Sequence, residues 1–297
     1  MNALERSFTL VKESLKVLRQ DPELAVFPVI SFVATMLAAL TIGGVGFFAG
    51  LLDSDTPTSA LNIAFLLAFY FCTYFITIYF QVALVACVQH RLAGGDPNLS
   101  FGINAANRRL GAIASWALIA AVVGLILRML EEAARRNARG WGSIVAQIAI
   151  AIAGAAWSLA TFFVIPILAS EGIGGFAALR RSVGVVKQRW GEAVIGGAGI
   201  GLVMLIAGIA VAVVVGGPAF LALSAGGAIA SFGLALAIIT VVGVLTIVAV
   251  GATLQSIYTA VVYQYATAGK TLGGFTPALL EGAFQPDRGS QPRGFAG

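Results

Sequence analysis

Six apolar stretches, near residues 24–52, 60–88, 110–130, 143–169, 192–217 and 231–266, are each long enough to cross the hydrocarbon core of a bilayer, which takes about 20 helical residues. No other feature constrains the fold as strongly. A backbone inside lipid must satisfy its own hydrogen bonds, so only helices and closed barrels can span it. Strand-type alternation is absent from these stretches. The chain therefore reads as an all-α, polytopic membrane protein with six transmembrane helices. The first and last stretches exceed the bilayer thickness and predict tilt or interfacial extension.

Composition agrees for physical reasons. Hydrophobic residues make up 59% of the chain and charged residues 10%, against about 25% charged in a soluble domain. So few charges cannot cover a water-exposed surface, and so apolar a chain cannot stay disordered. The 36 glycines suit transmembrane helices, where a missing side chain lets two backbones approach closely. Gly46 with Gly50, Ala151 with Ala155, and Gly197 with Gly201 have the small-xxx-small spacing of helix-packing faces, within a bundle or between protomers. Cys72 and Cys87 lie roughly 22 Å apart along one helix, beyond disulfide reach.

The net charge is +5, and its placement sets an orientation. Arg6, Lys12, Lys16 and Arg19 precede the first span; Arg91, Arg108 and Arg109 follow the second; Arg180, Arg181, Lys187 and Arg189 follow the fourth; Lys270, Arg288 and Arg293 follow the last. The first connection carries only Asp53 and Asp55. By the bias of Lys and Arg toward the inner side, both termini are expected in the cytoplasm. Arg128, Arg135, Arg136 and Arg139 oppose that pattern. Glu131 and Glu132 lie among them at helical spacings, which predicts an ion-paired extension of the third helix past the bilayer. A cleaved leader is not expected, because a charged segment precedes the first apolar run.

Each cytoplasmic segment ahead of a hairpin has the pattern of a short amphipathic helix. Leu4, Phe8, Val11, Leu15 and Leu18 form one apolar stripe; Phe176, Leu179, Val183, Val186 and Trp190 form another; Leu99, Ile103, Ala106 and Leu110 form a weaker third. Such helices are expected to lie in the interface, with basic faces toward anionic headgroups. The residues expected to face anionic lipid are Lys12, Lys16, Arg19, Arg108, Arg109, Arg180, Arg181, Lys187 and Arg189. Arg6–Lys12 also matches Arg181–Lys187 in letters, and Glu23 and Glu192 open the spans that follow. The chain then divides into three parallel units of interfacial helix plus transmembrane hairpin, residues 1–95, 96–172 and 173–272. A further interfacial helix is expected over 275–284, completing one membrane domain over 1–284, with a disordered tail over 285–297. Three hairpins invite comparison with mitochondrial carriers, but no proline here carries that family's Pro-x-Asp/Glu-x-x-Lys/Arg signature.

Chemistry-bearing motifs are scarce. His90 is the lone histidine, and without neighbouring ligands it makes no metal site; its expected role is that of an interfacial polar residue. There is no nucleophile elbow, zincin motif or P-loop. Gln81, Gln147, Gln255, Tyr258 and Gln264 fit interhelical bonding better than a polar pathway. Glu171 reads as a dipole cap at the start of an interfacial helix.

Two stretches carry a resemblance. One runs from Ser14 through Asp21-Pro22-Glu23-Leu24 to Phe27-Pro28, and the other from Trp157 through Pro166 and Glu171 to Ala178-Leu179-Arg180-Arg181-Ser182. They resemble a family of uncharacterised bacterial six-span membrane proteins. The Pro…Glu-Gly…Ala-Leu…Ser pattern is also similar to the membrane domain found beside bacterial glycerophosphodiester phosphodiesterases. The resemblance implies a multi-pass protein of the bacterial inner membrane and no reaction.

The sequence thus predicts a non-enzymatic protein that organises or contacts membrane lipid and partner proteins, with no cofactor, metal or nucleic acid and with room for a homo-oligomer. The alternative is a permease or channel subunit for a small neutral or lipidic solute.

Overall fold

A computed structural model describes residues 3–51, 60–137, 141–188, 190–269 and 275. In chain order the helices are α1 (Ala3–Gln20), a 3-10 turn (Pro22–Ala25), α2 (Val26–Phe48), α3 (Ala60–Leu92), α4 (Leu99–Asn107), α5 (Leu110–Asn137), α6 (Trp141–Thr161) and α7 (Val164–Glu171). They continue with α8 (Gly175–Gln188), α9 (Trp190–Val211), a π turn (Ala212–Gly216), α10 (Gly217–Ala225) and α11 (Gly227–Ala268). The described residues are mostly helical, with no strand among them. Six segments are long and apolar enough to cross a membrane: Pro22–Phe48, Ala60–Leu92, Leu110–Ala134, Ile144–Glu171, Ile200–Ala225 and Ile229–Ala268. The expected helix over 275–284, apart from residue 275, and the expected tail over 285–297 lie outside the described residues, as do Asp53, Asp55, Arg139, Arg189 and Lys270.

The chain forms two compact units, one of residues 26–188 and one of residues 1–25 with 189–297. In the first, α3 is the hub, packed by α2, α4, α5 and α7, while α8 packs on α5, α6 and α7. The early part of α3 is half-buried or exposed, whereas Val82–Val88 is fully buried. The difference marks where the short helices collar it. Gly102 of α4 is buried there, and a Cβ on it would lie 2.5 Å from Phe27 and 2.9 Å from the Ala83 carbonyl. Only glycine permits that approach. Trp116 of α5 stacks on Trp157 of α6 with ring centroids 5.8 Å apart.

The fourth span is broken at Phe162–Phe163, between α6 and α7. Pro166 supplies the reason: its ring displaces the carbonyl four residues earlier and it offers no N–H to the helical ladder. The Phe163 N–H is bonded instead by Ser182 Oγ of α8 at 3.1 Å. The face that α8 buries is Gly175, Ala178, Ser182 and Val185. The predicted stripe of Phe176, Leu179, Val183 and Val186 lies one residue round the helix, with Phe176 72% exposed.

In the second unit α1 packs on α9 and α11, and α10 packs on α11. A stretch of α11 from Thr253 to Tyr263 is largely buried, including Leu254, Ile257 and Tyr258. Its earlier part exposes Ile229, Phe232, Ile238, Val242 and Val248. With 42 residues, α11 runs roughly 63 Å, about twice the hydrocarbon core. Its length therefore serves both lipid and α1. Pro218 follows the π turn, whose wider backbone absorbs a proline within the span.

The small-residue pairs fare differently. Gly46 is buried in α2, but Gly50 has φ 67° and ends that helix, with Leu51 N–H donating to the Gly46 carbonyl at 2.8 Å. This is a left-handed glycine cap, so Gly50 stands beyond the helix and not on a packing face. Ala151 and Ala155 are both exposed on α6, and Gly201 is exposed on α9. Gly197 lies in α9.

A candidate anion-binding site

Within the unit of residues 26–188, the end of α3, the α4–α5 junction and the end of α7 line an open cavity of about 610 Å3. Its lining comprises Gln89, His90, Arg108, Arg109 and Ser170, with Phe101, Gly172 and four alanines. No carboxylate lines it among the described residues.

Local sequence builds each wall. Helix α3 ends in a two-glycine cap: Gly94 adopts φ 89°, its N–H donates to the Arg91 carbonyl, and the Gly95 N–H donates to the His90 carbonyl at 3.0 Å. That double bond pattern satisfies the last carbonyls of a helix. A Cβ on Gly95 would overlap the His90 ring, which stacks on Phe101 with centroids 4.4 Å apart. The histidine is thus fixed between backbone and aromatic face. Asn98 caps α4 by accepting the Phe101 N–H at 2.8 Å, as asparagine does at helix starts. The other end of α4 is held by Tyr79, whose hydroxyl donates to Asn107 Oδ1 at 2.8 Å.

Arg108 and Arg109 follow at once, between α4 and α5. Arg109 is half-buried and donates to the Ala105 and Ser170 carbonyls at 3.4 and 3.3 Å. Gly172, with φ 63°, ends α7 in the left-handed conformation that favours glycine, and the Arg109 side chain lies against it. Burial, and then the neighbouring Arg108 guanidinium, pull the Arg109 pKa below its ordinary value. Neither arginine is neutralised by a carboxylate among the described residues. The nearby acids are engaged elsewhere, Asp96 with Arg91 at 2.6 Å and Glu171 with Arg181 at 3.4 Å. Both arginines also precede the N-terminus of α5, where the helix dipole disfavours positive charge. The site is organised to receive an anion.

The other basic residues singled out from sequence lie on helix surfaces. Lys12, Lys16 and Arg19 are exposed on α1, with Lys16 paired to Glu13 at 2.6 Å. Arg180, Arg181 and Lys187 are exposed on α8. Among the described residues of the predicted set, only Arg108 and Arg109 are brought to one cavity; Arg189 lies outside the described residues. Sequence reasoning assigned His90 no ligand-facing role and passed over Gln89. The available signal was the Gly94-Gly95 pair after His90-Arg91, which marks a helix end that places both side chains at a rim.

A second cavity, of about 720 Å3, lies between α9 and α11. Ile200, Gly201, Met204, Gly208, Val248 and Gly251 are among its apolar lining, and Gln255 is its one amide. Gln81 and Gln147 are exposed on α3 and α6, and Tyr258 is buried.

Residues 60–274 match a family of unknown function (DUF6159). The chain belongs to that family. Its members' activity is not defined by the match, so function must be argued from the site. No curated protein matches the chain.

Proposed function

We propose that this DUF6159 protein is a non-enzymatic inner-membrane protein that contacts anionic lipid through basic surfaces of its short helices. Both termini lie in the cytoplasm in this reading, and the spans form three parallel hairpins, each preceded by an interfacial helix. The observation that carries it is the three-way division of α8. Small residues face the protein, Phe176 is 72% exposed beside them, and Arg180 and Lys187 are exposed next to that apolar strip. A large apolar side chain flanked by free cations is the arrangement that seats a helix at the boundary of acyl chains and headgroups. The exposed small residues Ala151, Ala155 and Gly201 supply faces on which a second copy or another membrane protein could close.

Reversing Arg180, Arg181, Lys187 and Arg189 to Glu tests the reading. Spin-labelled anionic and zwitterionic lipids compete for the protein surface in mixed nanodiscs. Selectivity for the anionic lipid should fall in the variant, since each basic residue near the surface is worth about 1 kcal/mol; unchanged selectivity refutes the proposal. The apolar groove between α9 and α11 is what favours the permease reading for a lipidic solute, and proteoliposome flux separates the two.

A further inference from the structure

We infer that the cavity bounded by His90, Arg108 and Arg109 is a discrete site for one phosphate group, carried by a phospholipid or by a soluble phosphoester. This rests on the lipid-contacting reading above but assigns a specific pocket where that reading requires only a basic surface.

Four observations converge. Arg109 is oriented by two backbone carbonyls, at 3.3 and 3.4 Å, which are neutral and leave its charge uncompensated. The Arg108 backbone N–H bonds the Asn104 carbonyl at 3.2 Å, but its side chain has no hydrogen-bond or ion-pair partner among the described residues, so its whole donor fork is available. Guanidinium forks match the spacing of phosphate oxygens and hold them by paired, charge-assisted bonds. Two cations at the positive end of α5 are a cost to the free protein, and a dianion or monoanion between them reverses its sign. The acids that would otherwise quench the site, Asp96 and Glu171, are held by Arg91 and Arg181.

The cavity is also more than an anion notch. At about 610 Å3 it falls in the range of small-molecule sites. Beside the arginines it offers the Gln89 amide, whose Nε2 also donates to the Pro166 carbonyl at 3.5 Å, the fixed His90 ring, Phe101 and alanines from α3, α4 and α7. That mixture suits a phosphate esterified to a partly apolar group better than free inorganic phosphate.

The test uses the full chain in detergent and native mass spectrometry. Phosphatidylglycerol, phosphatidylcholine and glycerol 3-phosphate are titrated separately. Wild type should show one ligand retained well ahead of the rest. Arg108→Gln should weaken it by about tenfold or more, the usual worth of a charge-assisted bond, and Arg108→Gln with Arg109→Gln should abolish it. Arg180→Gln with Lys187→Gln should leave that first ligand unchanged. The Arg108 side chain is exposed and unpartnered, so its single variant carries the result even if the double variant fails to fold. Preference for phosphatidylglycerol identifies a lipid headgroup, and equal or tighter binding of glycerol 3-phosphate identifies a soluble ester; either supports the site. Retention of the first ligand by Arg108→Gln at wild-type affinity overturns it, as does equal loss in the α8 variant. If the pocket variants are silent while charge reversal on α8 lowers annular selectivity, the pocket falls and the lipid-surface reading stands.

Discussion

Ser182 Oγ accepts the Phe163 backbone N–H at 3.1 Å, reaching from the middle of α8 to the break that Pro166 imposes on the fourth span. The serine is fully buried. A buried N–H left without an acceptor costs about 1–3 kcal/mol. Ser182→Ala should therefore lower the melting temperature in detergent by an amount of that order. Its counterpart is Ser14 of α1, also fully buried, whose Oγ has no hydrogen-bond partner among the described residues. Ser14→Ala removes a polar atom that is desolvated without compensation, so it should be neutral or stabilising. If both alanine variants shift stability alike, the account of the kink is wrong.

These two serines also show how much the sequence disclosed. Burial aligns Leu10–Arg19 with Ala178–Lys187, pairing Ser14 with Ser182, Lys12 with Arg180 and Arg19 with Lys187. The match of Arg6–Lys12 with Arg181–Lys187 in letters is a different register. The six apolar segments were legible because lipid demands length and hydropathy, which a sequence displays directly. The packed faces were legible only in part: Val11, Leu18 and Ala106 of the expected stripes are buried. Periodicity finds the largest apolar side chains, such as Phe176 and Ile103, but close helix contact in a membrane selects the smallest. Gly102, Ala105, Gly175 and Ala178 are buried one position away from those stripes. The arginine pair was visible as charge, while its cavity depends on α3, α4 and α7 meeting.

Glycines in α8 should divide sharply by position. A Cβ on Gly175 would lie 2.6 Å from the Trp116 Cα and backbone nitrogen, whereas one on Gly184 would meet nothing within 4 Å. Overpacking against backbone costs about 1–3 kcal/mol, and Gly→Ala in an open helix interior gains about 0.5–1 kcal/mol. Gly175→Ala should thus melt earlier than wild type and Gly184→Ala later. Thermal denaturation of the two variants side by side checks the ordering.

His90 and Gly95 should be energetically coupled. The glycine leaves space that the His90 ring occupies, and Phe101 closes the opposite face at 4.4 Å. Gly95→Ala alone should destabilise the protein by about 1–3 kcal/mol through overpacking. In a His90→Ala background the same change should cost much less. A double-mutant cycle reads the difference, and contacting residues couple by about 0.5–3 kcal/mol; additivity would show that the ring is free to move aside.

The third connection offers the decisive test of topology. Helix α5 is unbroken from Leu110 to Asn137, and Arg128 stands nineteen positions after Arg109. At 1.5 Å per residue that is roughly 28 Å, close to the thickness of the hydrocarbon core. No charged residue intervenes, so a spanning α5 must place these arginines at opposite interfaces. Arg128 donates to the Tyr70 hydroxyl on α3 at 3.2 Å, a pairing that suits the aromatic belt at a membrane boundary. Glu131 and Glu132 follow within the same helix and offset part of the positive charge. Reporter fusions at Asn137 and at Gln188 should therefore give opposite signals, with Asn137 outside and Gln188 in the cytoplasm. Cytoplasmic signals from both would mean that α5 does not cross, and the six-span topology would fail with it.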